Sequence, residues 1–489
     1  MTLAKVVVLA LCGTTLAGCN LEWEKPDASV APPERFRAAR PVSAAPIPGA
    51  HDFAAKFGSR ELTDLVAQAL DQNLDLAAAV ARIDEADAQA RVNSAALWPA
   101  LAMNNSVSRT QTPGTRTVGT PPFTTTRTNL ASLGLNASYE IDFWGKNEDA
   151  SSAARILANA SRFDRDVVEI STIAAVMNAY FQVLTAQDRL RIAHDNVKIA
   201  STVYDAIKAR LSVGTATVLD TSQQEAVLAT QRASIPPLEQ TLRQTRNTLA
   251  VLLGRTPEST DIKGGSLTAL RFPLVRPGLP SEVLLRRPDV AEAEAKLASQ
   301  EFSVLQARAA FFPSITLTGQ FGVQSIVFKN LARPEAIAWS IASNMAQPLL
   351  DGYNLQGQYE LQKGKYAENA ALYRKQILTA LSDTENALIA VQETQKQLKL
   401  QGEAVAAARR AYQAAEMRLR EGTIDIVTLS TTEVTYFQNQ DILAQVRLAH
   451  FQAATSLYQA LGGGWSPTTR EIEIARADEA YSADKGPWP

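Results

Sequence analysis

The stretch "RLSVGT" at residues 210–215 returns as "RLREGT" at 418–423, so one six-residue pattern is written twice, 208 residues apart. The same offset carries much of the chain onto itself. Ala179, Val183, Gln187 and Leu190 meet Ala387, Val391, Gln395 and Leu398. Further on, Tyr204, Ala206, Glu225, Leu249, Leu253 and Gly254 meet Tyr412, Ala414, Glu433, Leu457, Leu461 and Gly462. Upstream the offset is 214, and Asp75, Ala95, Ala96 and Pro99 meet Asp289, Ala309, Ala310 and Pro313. This period is far too long for a solenoid. One unit occurs twice, and its first copy has a few extra residues near 105–130.

Around each quoted turn the pattern is helical. No proline falls between Pro122 and Pro236, or between Pro348 and Pro467, so long uninterrupted helices are permitted there. Val176, Val183, Leu190, Val197, Tyr204 and Leu211 form a heptad stripe, repeated by Thr384, Val391, Leu398, Val405, Tyr412 and Leu419. Beside the first stripe runs a seam of small residues, Ala179, Ala186, Ala193 and Ala200, ending at Ile207. That is a coiled-coil pattern in which neighbouring helices approach closely. It predicts helices over about 147–212 and 354–420, each rising roughly 100 Å, with partner helices over about 218–253 and 426–461.

Between the helices the period changes to two. Leu133, Leu135, Ala137, Tyr139 and Ile141 alternate with Gly134, Asn136, Ser138 and Glu140; Ile315, Leu317, Phe321 and Val323 alternate with Thr316, Thr318, Gly322 and Gln324; Ile337, Trp339 and Ile341 alternate with Ala338, Ser340 and Ala342. A weaker strand spans about 102–110. Alternation of this length fits a membrane barrel, apolar outward and polar inward, and equally a half-buried sheet of a soluble domain. The aromatic residues favour the barrel. Trp98, Phe143, Trp144, Phe311, Phe312 and Tyr353 sit at the strand–helix junctions, where an interfacial girdle belongs. The Thr-, Pro- and Gly-rich segment 109–129 reads as an external loop. Two hairpins give four strands, which cannot close a barrel, and open edges are not tolerated in lipid. Three chains give twelve strands, and cyclic symmetry then gathers the long helices into a tube.

The bulk properties agree. Hydrophobic residues make up 46% and mean hydropathy is −0.10, which suits neither a polytopic helical membrane protein nor a disordered chain. A net charge of −2 leaves no basic footprint for nucleic acid. Lys5 and the apolar run at 6–11 begin a leader too short to span a bilayer. Leu16-Ala17-Gly18-Cys19 then resembles the lipobox of bacterial lipoproteins. Cleavage before Cys19 removes Cys12, leaves Cys19 acylated, and takes the net charge from −2 to −3 by loss of Lys5. Several acyl chains give stable anchoring.

A lipobox, two tandem halves, two hairpins and two very long helices per chain together resemble the TolC-like outer-membrane efflux ducts, in their lipoprotein (NodT/OprM-type) branch. Three stretches carry the likeness best: "LLRRPDVAEAEAKL" at 284–297, "YEIDFWGK" at 139–146, and the paired turns. The resemblance covers residues 59–463 or so. It implies a mainly α fold with a membrane β part: a homotrimer with a twelve-stranded β-barrel and a helical α-barrel in the periplasm. It also implies docking to a periplasmic adaptor and an inner-membrane pump of the RND type. In the family the Gly-Thr turn is a periplasmic hairpin tip. That marks Arg210, Leu211, Gly214, Thr215, Arg418, Leu419, Gly422 and Thr423 as adaptor contacts, although a plain helix turn explains them too. Family members often carry gate aspartates six and nine residues past the second glycine, and this chain has Thr428 and Thr431 there. Asp220 and Asp425 are the alternative gate candidates, although each taken alone is better explained as a helix N-terminal aspartate favoured by the dipole.

The expected organisation is a signal peptide at 1–18, a lipidated tether at 19–58, repeats at 59–262 and 263–463 with hairpins near 102–142 and 315–349, and a periplasmic tail at 464–489. No enzyme constellation is legible. His51, His194 and His450 are far apart, so no metal motif and no cofactor site can be written. Gly364-Lys365 lacks the rest of a phosphate loop, and Glu292 with Glu294 reads as a solvated helix face. The function expected is passive conduction of substrate across the outer membrane. The alternatives are a lipid-anchored periplasmic coiled-coil scaffold, or a duct for metal ions or polypeptides rather than drugs.

Overall fold

The computed structural model describes residues 23–38, 50–112, 126–259, 262–273 and 279–466. Cys19, the leader and residues 467–489 lie outside them, as does most of the loop between the first two strands. The first half comprises α1 (Ala50–Lys56), α2 (Arg60–Gln72), α3 (Leu74–Ser94), β1 (Ala100–Thr112), β2 (Thr126–Ile141), α4 (Lys146–Ser212), α5 (Val218–Ala233) and α6 (Ile235–Leu252). The second comprises α7 (Pro280–Leu284), α8 (Pro288–Ala309), β3 (Ser314–Ser325), β4 (Ile337–Ala346), α9 (Asn354–Arg420) and α10 (Ile426–Ala460). The order helix, strand, strand, very long helix, return helix thus occurs twice. Both α4 and α9 have 67 residues, or about 100 Å of helix each.

One expectation fails. Residues 218–253 form two helices, not one. Pro236 and Pro237 have no N–H to donate and crowd the preceding turn. Accordingly α5 stops at Ala233, the Ser234 N–H bonds back to Thr230 and Gln231, and α6 restarts at Ile235. The matching positions of the second half are Ala444 and Gln445, and α10 runs unbroken for 35 residues.

The chain divides into two compact units. One comprises Met1–Ala28, Asp84–Asn159 and Glu294–Tyr373 and contains the sheet. Its strands pair in the order β1-β2-β3-β4, antiparallel throughout. A small core lies beside it, where Leu297 and Val304 of α8 meet Tyr359, Tyr366 and Ala370 of α9. Trp23 joins this core, edge-on to Tyr366 at 4.7 Å, and Lys25 pairs with Glu301.

The other unit comprises Ser29–Ile83, Ala160–Ala293 and Arg374–Pro489. The predicted seam is buried there: Ala179, Ala186, Ala193, Ala200 and Ile207 are all nearly inaccessible. Its largest core holds an aromatic stack. Phe53 lies flat on Tyr458 at 4.0 Å, and Phe57 packs on Phe181 and Phe451. Phe53 and Phe57 fall within the segment read as a tether, yet both are fully buried. Residues just before them are also held: Glu385 accepts from the Arg37 and Ala38 N–H groups at 3.0 and 2.8 Å, and Phe36 is buried against Val283 and Leu388.

The duplication is visible in this unit down to single contacts. Asn73 and Arg287 are 214 residues apart, the upstream offset. Asn73 Nδ2 donates to the Leu252 carbonyl at 2.8 Å, and Arg287 Nη1 donates to the Ala460 carbonyl at 3.1 Å. Leu252 and Ala460 are 208 apart and are the last residues of their helices. Each repeat therefore turns the polar side chain at this position onto the orphan carbonyl at the end of its return helix; in the second repeat the Thr384 hydroxyl also donates there, at 3.3 Å.

Candidate functional site

The sheet presents two chemically different faces. Leu135 pairs with Met103 and with Phe321, and Phe321 with Trp339. One row up, Ala137 pairs with Leu101 and Gly319, and Gly319 with Ile341. Side chains directly opposite point to the same face, so these rows make one continuous apolar surface. Leu101, Met103, Phe321, Trp339 and Ile341 are all more than 60% exposed. The alternate positions are polar: Asn104, Ser106, Asn136, Ser138, Thr318, Gln320 and Ser340. Among the described residues nothing covers β1 or β4, and every residue of both strands is exposed. A soluble half-buried sheet hides its apolar face; this one displays it.

At the sheet-to-helix junctions the predicted aromatic residues fall into sets. Phe143 meets Trp144 edge-on at 4.9 Å, Trp144 stacks on Phe312 at 4.6 Å, and Trp144 Nε1 donates to the Pro313 carbonyl at 2.9 Å. Phe311 turns instead toward Tyr359. Trp98 and Tyr353 stand apart and are 75% and 81% exposed. The motif at 139–146 now has a physical content. Asp142 caps α4 by accepting from the Glu148 N–H at 2.7 Å, Glu140 pairs with Lys146 at 2.5 Å, and Gly145 takes a positive φ of 77°. In the second repeat Asp351 caps α9 through the Leu355 N–H at 2.8 Å.

The two Gly-Thr turns are built alike. Gly214 N–H donates to Leu211 O and Thr215 N–H to Arg210 O; Gly422 N–H donates to Leu419 O and Thr423 N–H to Arg418 O. This is the glycine C-cap expected after a long helix. Both threonine hydroxyls add a bond to the same arginine carbonyls, at 3.0 and 3.1 Å. Arg210 Nη1 also crosses to the Leu419 carbonyl at 3.0 Å, so the first turn grips the second. Nothing in the sequence announces that bond, because Arg418 shares the pattern and remains exposed. Val213, Val218 and Leu219 are also exposed at the first turn.

Asp220 and Asp425 both sit at helix starts. Thr217 is the N-cap of α5, and Asp220 closes a capping box with it, accepting from the Thr217 N–H at 2.7 Å. Asp425 is itself the N-cap of α10 and accepts from the Thr428 N–H at 2.9 Å and the Thr428 hydroxyl at 2.6 Å. Those hydrogen bonds hold its carboxyl below the usual range. Thr217 and Asp425 are repeat mates, as are Asp220 and Thr428, so the two starts use the same Thr/Asp pair in opposite order. Among the histidines, His194 is exposed, and His450 is buried, stacked on Phe272 at 3.8 Å.

Known proteins share this architecture. The outer membrane efflux protein family matches residues 65–255 and 279–463, one block in each repeat. The pyoverdine export outer membrane protein OpmQ of Pseudomonas putida is 34% identical over 96% of this chain and 100% of its own length. The cation efflux system protein CusC of Escherichia coli is 28% identical, covering 94% of this chain and 97% of its own. Among solved structures, the outer-membrane channel OprN superposes with a TM-score of 0.82 at 27% identity, covering 91% of this chain and 99% of that one. The open state of the MtrE outer membrane channel of Neisseria gonorrhoeae gives 0.80 at 28%, covering 91% and 98%. With its displayed apolar sheet face and a match to both repeats, the chain belongs to the outer membrane efflux protein family and is an efflux channel of the outer membrane.

Proposed function

We propose that three copies of this chain form the exit duct of a tripartite exporter. The observation that carries this is the open four-stranded sheet: β1 and β4 leave a free edge on either side, and lipid does not tolerate free edges. Twelve strands from three chains remove every edge. The repeats at 59–262 and 263–463 are its two structural units, which the recurring element order supports. Cys19 carries the lipid anchor, and Trp23, only four residues later, is packed on Tyr366 in the unit that holds the sheet. The turns at Gly214 and Gly422 are the docking points for a periplasmic adaptor, which links the duct to an inner-membrane pump of the RND type. The duct performs no chemical step, and its cargo is whatever the pump delivers. The name of OpmQ makes a siderophore the first cargo to test; that of CusC makes a metal cation the second.

The purified chain is expected to run as a heat-resistant trimer in detergent, to carry acyl mass on Cys19, and to conduct in planar bilayers. A monomer without conductance would overturn the duct and favour a periplasmic scaffold.

Two residues separate the faces of the sheet. Ile341→Arg places a charge on the apolar face and is expected to destabilise the folded barrel by about 2–4 kcal/mol near the bilayer midplane. Its neighbour Ser340 points the other way, so Ser340→Arg should fold normally and shift conduction toward anions. Folding into vesicles monitored against urea distinguishes them, and equal behaviour would mean the faces are not lipid and lumen.

Asp220 and Asp425 remain candidates for an acidic gate beside the turns. Asp220→Ala opens the capping box of α5 and Asp425→Ala removes the N-cap of α10, so each weakens its helix start. If they also line the conduction path, Asp220→Ala and Asp425→Ala lower cation selectivity in single-channel recordings. Unchanged selectivity in both would confine them to capping.

A further inference from the structure

The four strands carry almost no charge. Among their residues only Arg109 on β1 and Arg127 and Glu140 on β2 are charged. Glu140 lies at the helix end of the sheet, where it pairs with Lys146. Both arginines lie at the opposite end, beside the loop that joins β1 to β2. No aspartate or glutamate occurs between Asp87 and Glu140, so no carboxylate of this loop end can neutralise them from within the hairpin.

The register fixes the face on which they stand. Arg109 is directly opposite Asn129, and Arg127 directly opposite Gln111. Each lies an even number of residues from Leu101 and Met103, or from Leu133 and Leu135, along its strand. The four polar residues therefore stand on the apolar face. Along β2 that face reads Ile141, Tyr139, Ala137, Leu135, Leu133 and Ala131 before it reaches Asn129 and Arg127. Along β1 it reads Leu101, Met103, Asn105 and Val107 before Arg109 and Gln111. From Ile141 to Ala131 an extended strand rises about 33 Å. A tilt of about 40° turns that into about 25 Å of height, the height of the apolar band of an outer-membrane barrel. The arginines begin where the hydrocarbon ends.

Arg109 and Arg127 are diagonal neighbours, about 7–8 Å apart at the backbone, and both are exposed. Arg127 Nε donates to Gln111 Oε1 at 2.8 Å, which draws its guanidinium across the face toward β1. Two planar forks at this separation can close on one phosphate, in the bidentate manner that favours arginine over lysine. Asn129 and Gln111 add amides able to hydrogen-bond sugar hydroxyls. The second hairpin shows the same order of apolar and then basic residues. Ile326 and Phe328 are 64% and 73% exposed, Lys329 and Arg333 follow, and Glu335 is the one acid of that connection.

We propose that Arg109 and Arg127, with Asn129 and Gln111, bind the phosphorylated sugar of an outer-leaflet glycolipid, the lipid A part of lipopolysaccharide, while its acyl chains run down the apolar face. This rests on the duct reading above, which places the loop end of the sheet outermost. The lipid gains twice at this site. Its phosphate meets the two guanidinium groups, and its chains meet Val107, Leu133 and Leu135 directly below them. A free phosphate gains only the first of these, and a phospholipid offers the amides no phosphorylated sugar. Each copy of the chain carries one such site.

The test is native mass spectrometry of the full-length protein in detergent, titrated with purified lipid A. The wild type is expected to retain one lipid A per chain. Arg109→Gln and Arg127→Gln should each weaken binding about tenfold, and the double variant about a hundredfold. Arg127→Gln combined with Thr128→Arg keeps the net charge but moves the guanidinium to the other face, and should not restore binding. Lipid A stripped of its phosphates, and phosphatidylglycerol, should bind the wild type about as weakly as lipid A binds the double variant. A conducting trimer whose double variant holds lipid A like the wild type overturns the site, and so does full rescue by Thr128→Arg. Equal binding of phosphatidylglycerol overturns the glycolipid, and displacement of lipid A by an equal concentration of inorganic phosphate overturns a lipid ligand altogether. Should the double variant not assemble, the two single variants decide by the same criterion. A wild-type monomer without conductance would instead overturn the duct, and the site with it.

Discussion

Arg287→Met is expected to lower the stability of the folded chain by about 3–5 kcal/mol, the range for removing one partner of a buried, hydrogen-bonded charge cluster. Arg287 is 8% exposed. Its Nε and Nη2 grip Asp289 in a fork at 2.9 and 2.6 Å, and Nη2 also reaches Asp383 at 3.3 Å. On the other side Nη1 donates to the carbonyls of Ala460 and Ala380. One guanidinium thus joins the start of α8, the middle of α9 and the end of α10. Methionine fills the volume but leaves the Asp289 carboxylate without its cation, with only Gln376 and the Val290 N–H still donating to it, and the Ala380 and Ala460 carbonyls keep the Thr384 hydroxyl but lose the guanidinium. A largely buried charge stripped of its partner is expensive. Arg287→Lys is not expected to rescue, because an ammonium cannot reproduce the planar fork. Asn73→Ala, at the matching position of the first repeat, removes only neutral hydrogen bonds to Leu252 and Leu76, and should lose about 1–2 kcal/mol. Thermal unfolding of the purified protein in detergent, followed by far-ultraviolet circular dichroism, ranks the three. Equal midpoints for Arg287→Met and the wild type would show that the cluster contributes nothing net.

Arg287 also illustrates what could be read in advance. Periodic features were legible because many residues report each of them. The alanine seam, the 67-residue helices and the alternating strands each rest on many positions, and no single substitution hides them. The turns at Gly214 and Gly422 were legible because each glycine follows a helix. The features that a single pair of residues creates were not. Gln224 and Glu433 are neither repeat mates nor part of a stripe, and only the packing of α5 on α10 brings them together. Arg210 and Arg418 are indistinguishable as letters, yet Arg210 crosses to the opposite turn. The break at Ser234 was available in principle, since Pro236 and Pro237 are in plain view. The matching positions Ala444 and Gln445 carry no proline, so the break belongs to one repeat and the 208-residue correspondence does not show it. The same offsets do hold a readable signal for Asn73 and Arg287, but their side chains differ so much that only the shared carbonyl contact reveals a common task.

Gly462→Ala is expected to destabilise by more than about 4 kcal/mol, in the exceptional tail for single substitutions, while Gly422→Ala loses only about 1–2 kcal/mol. Both glycines have positive φ, 87° and 73°, so backbone strain is common to the two changes. What differs is the space a methyl group would enter. At Gly422 no described atom lies within 4 Å, whereas at Gly462 a Cβ would stand 1.9 Å from the Arg286 carbonyl oxygen and 2.8 Å from its carbon. That carbonyl belongs to the main chain just before Arg287, so it cannot swing aside like the end of a flexible side chain. The first repeat makes the same contact: a Cβ on Gly254 would stand 2.1 Å from the Gln72 carbonyl oxygen. Gly254→Ala should therefore resemble Gly462→Ala, and neither should resemble Gly422→Ala. Midpoints of thermal unfolding in detergent decide this. Three similar losses would mean that strain alone sets the penalty and that the close approach relaxes at no expense. Combining Gly462→Ala with Arg287→Met adds a sharper test. The two residues act on one junction, where the end of α10 meets residues 286–287, so their effects should fall well short of additive. Strict additivity would separate the cap from the charge cluster and break the account of that junction as one structural unit.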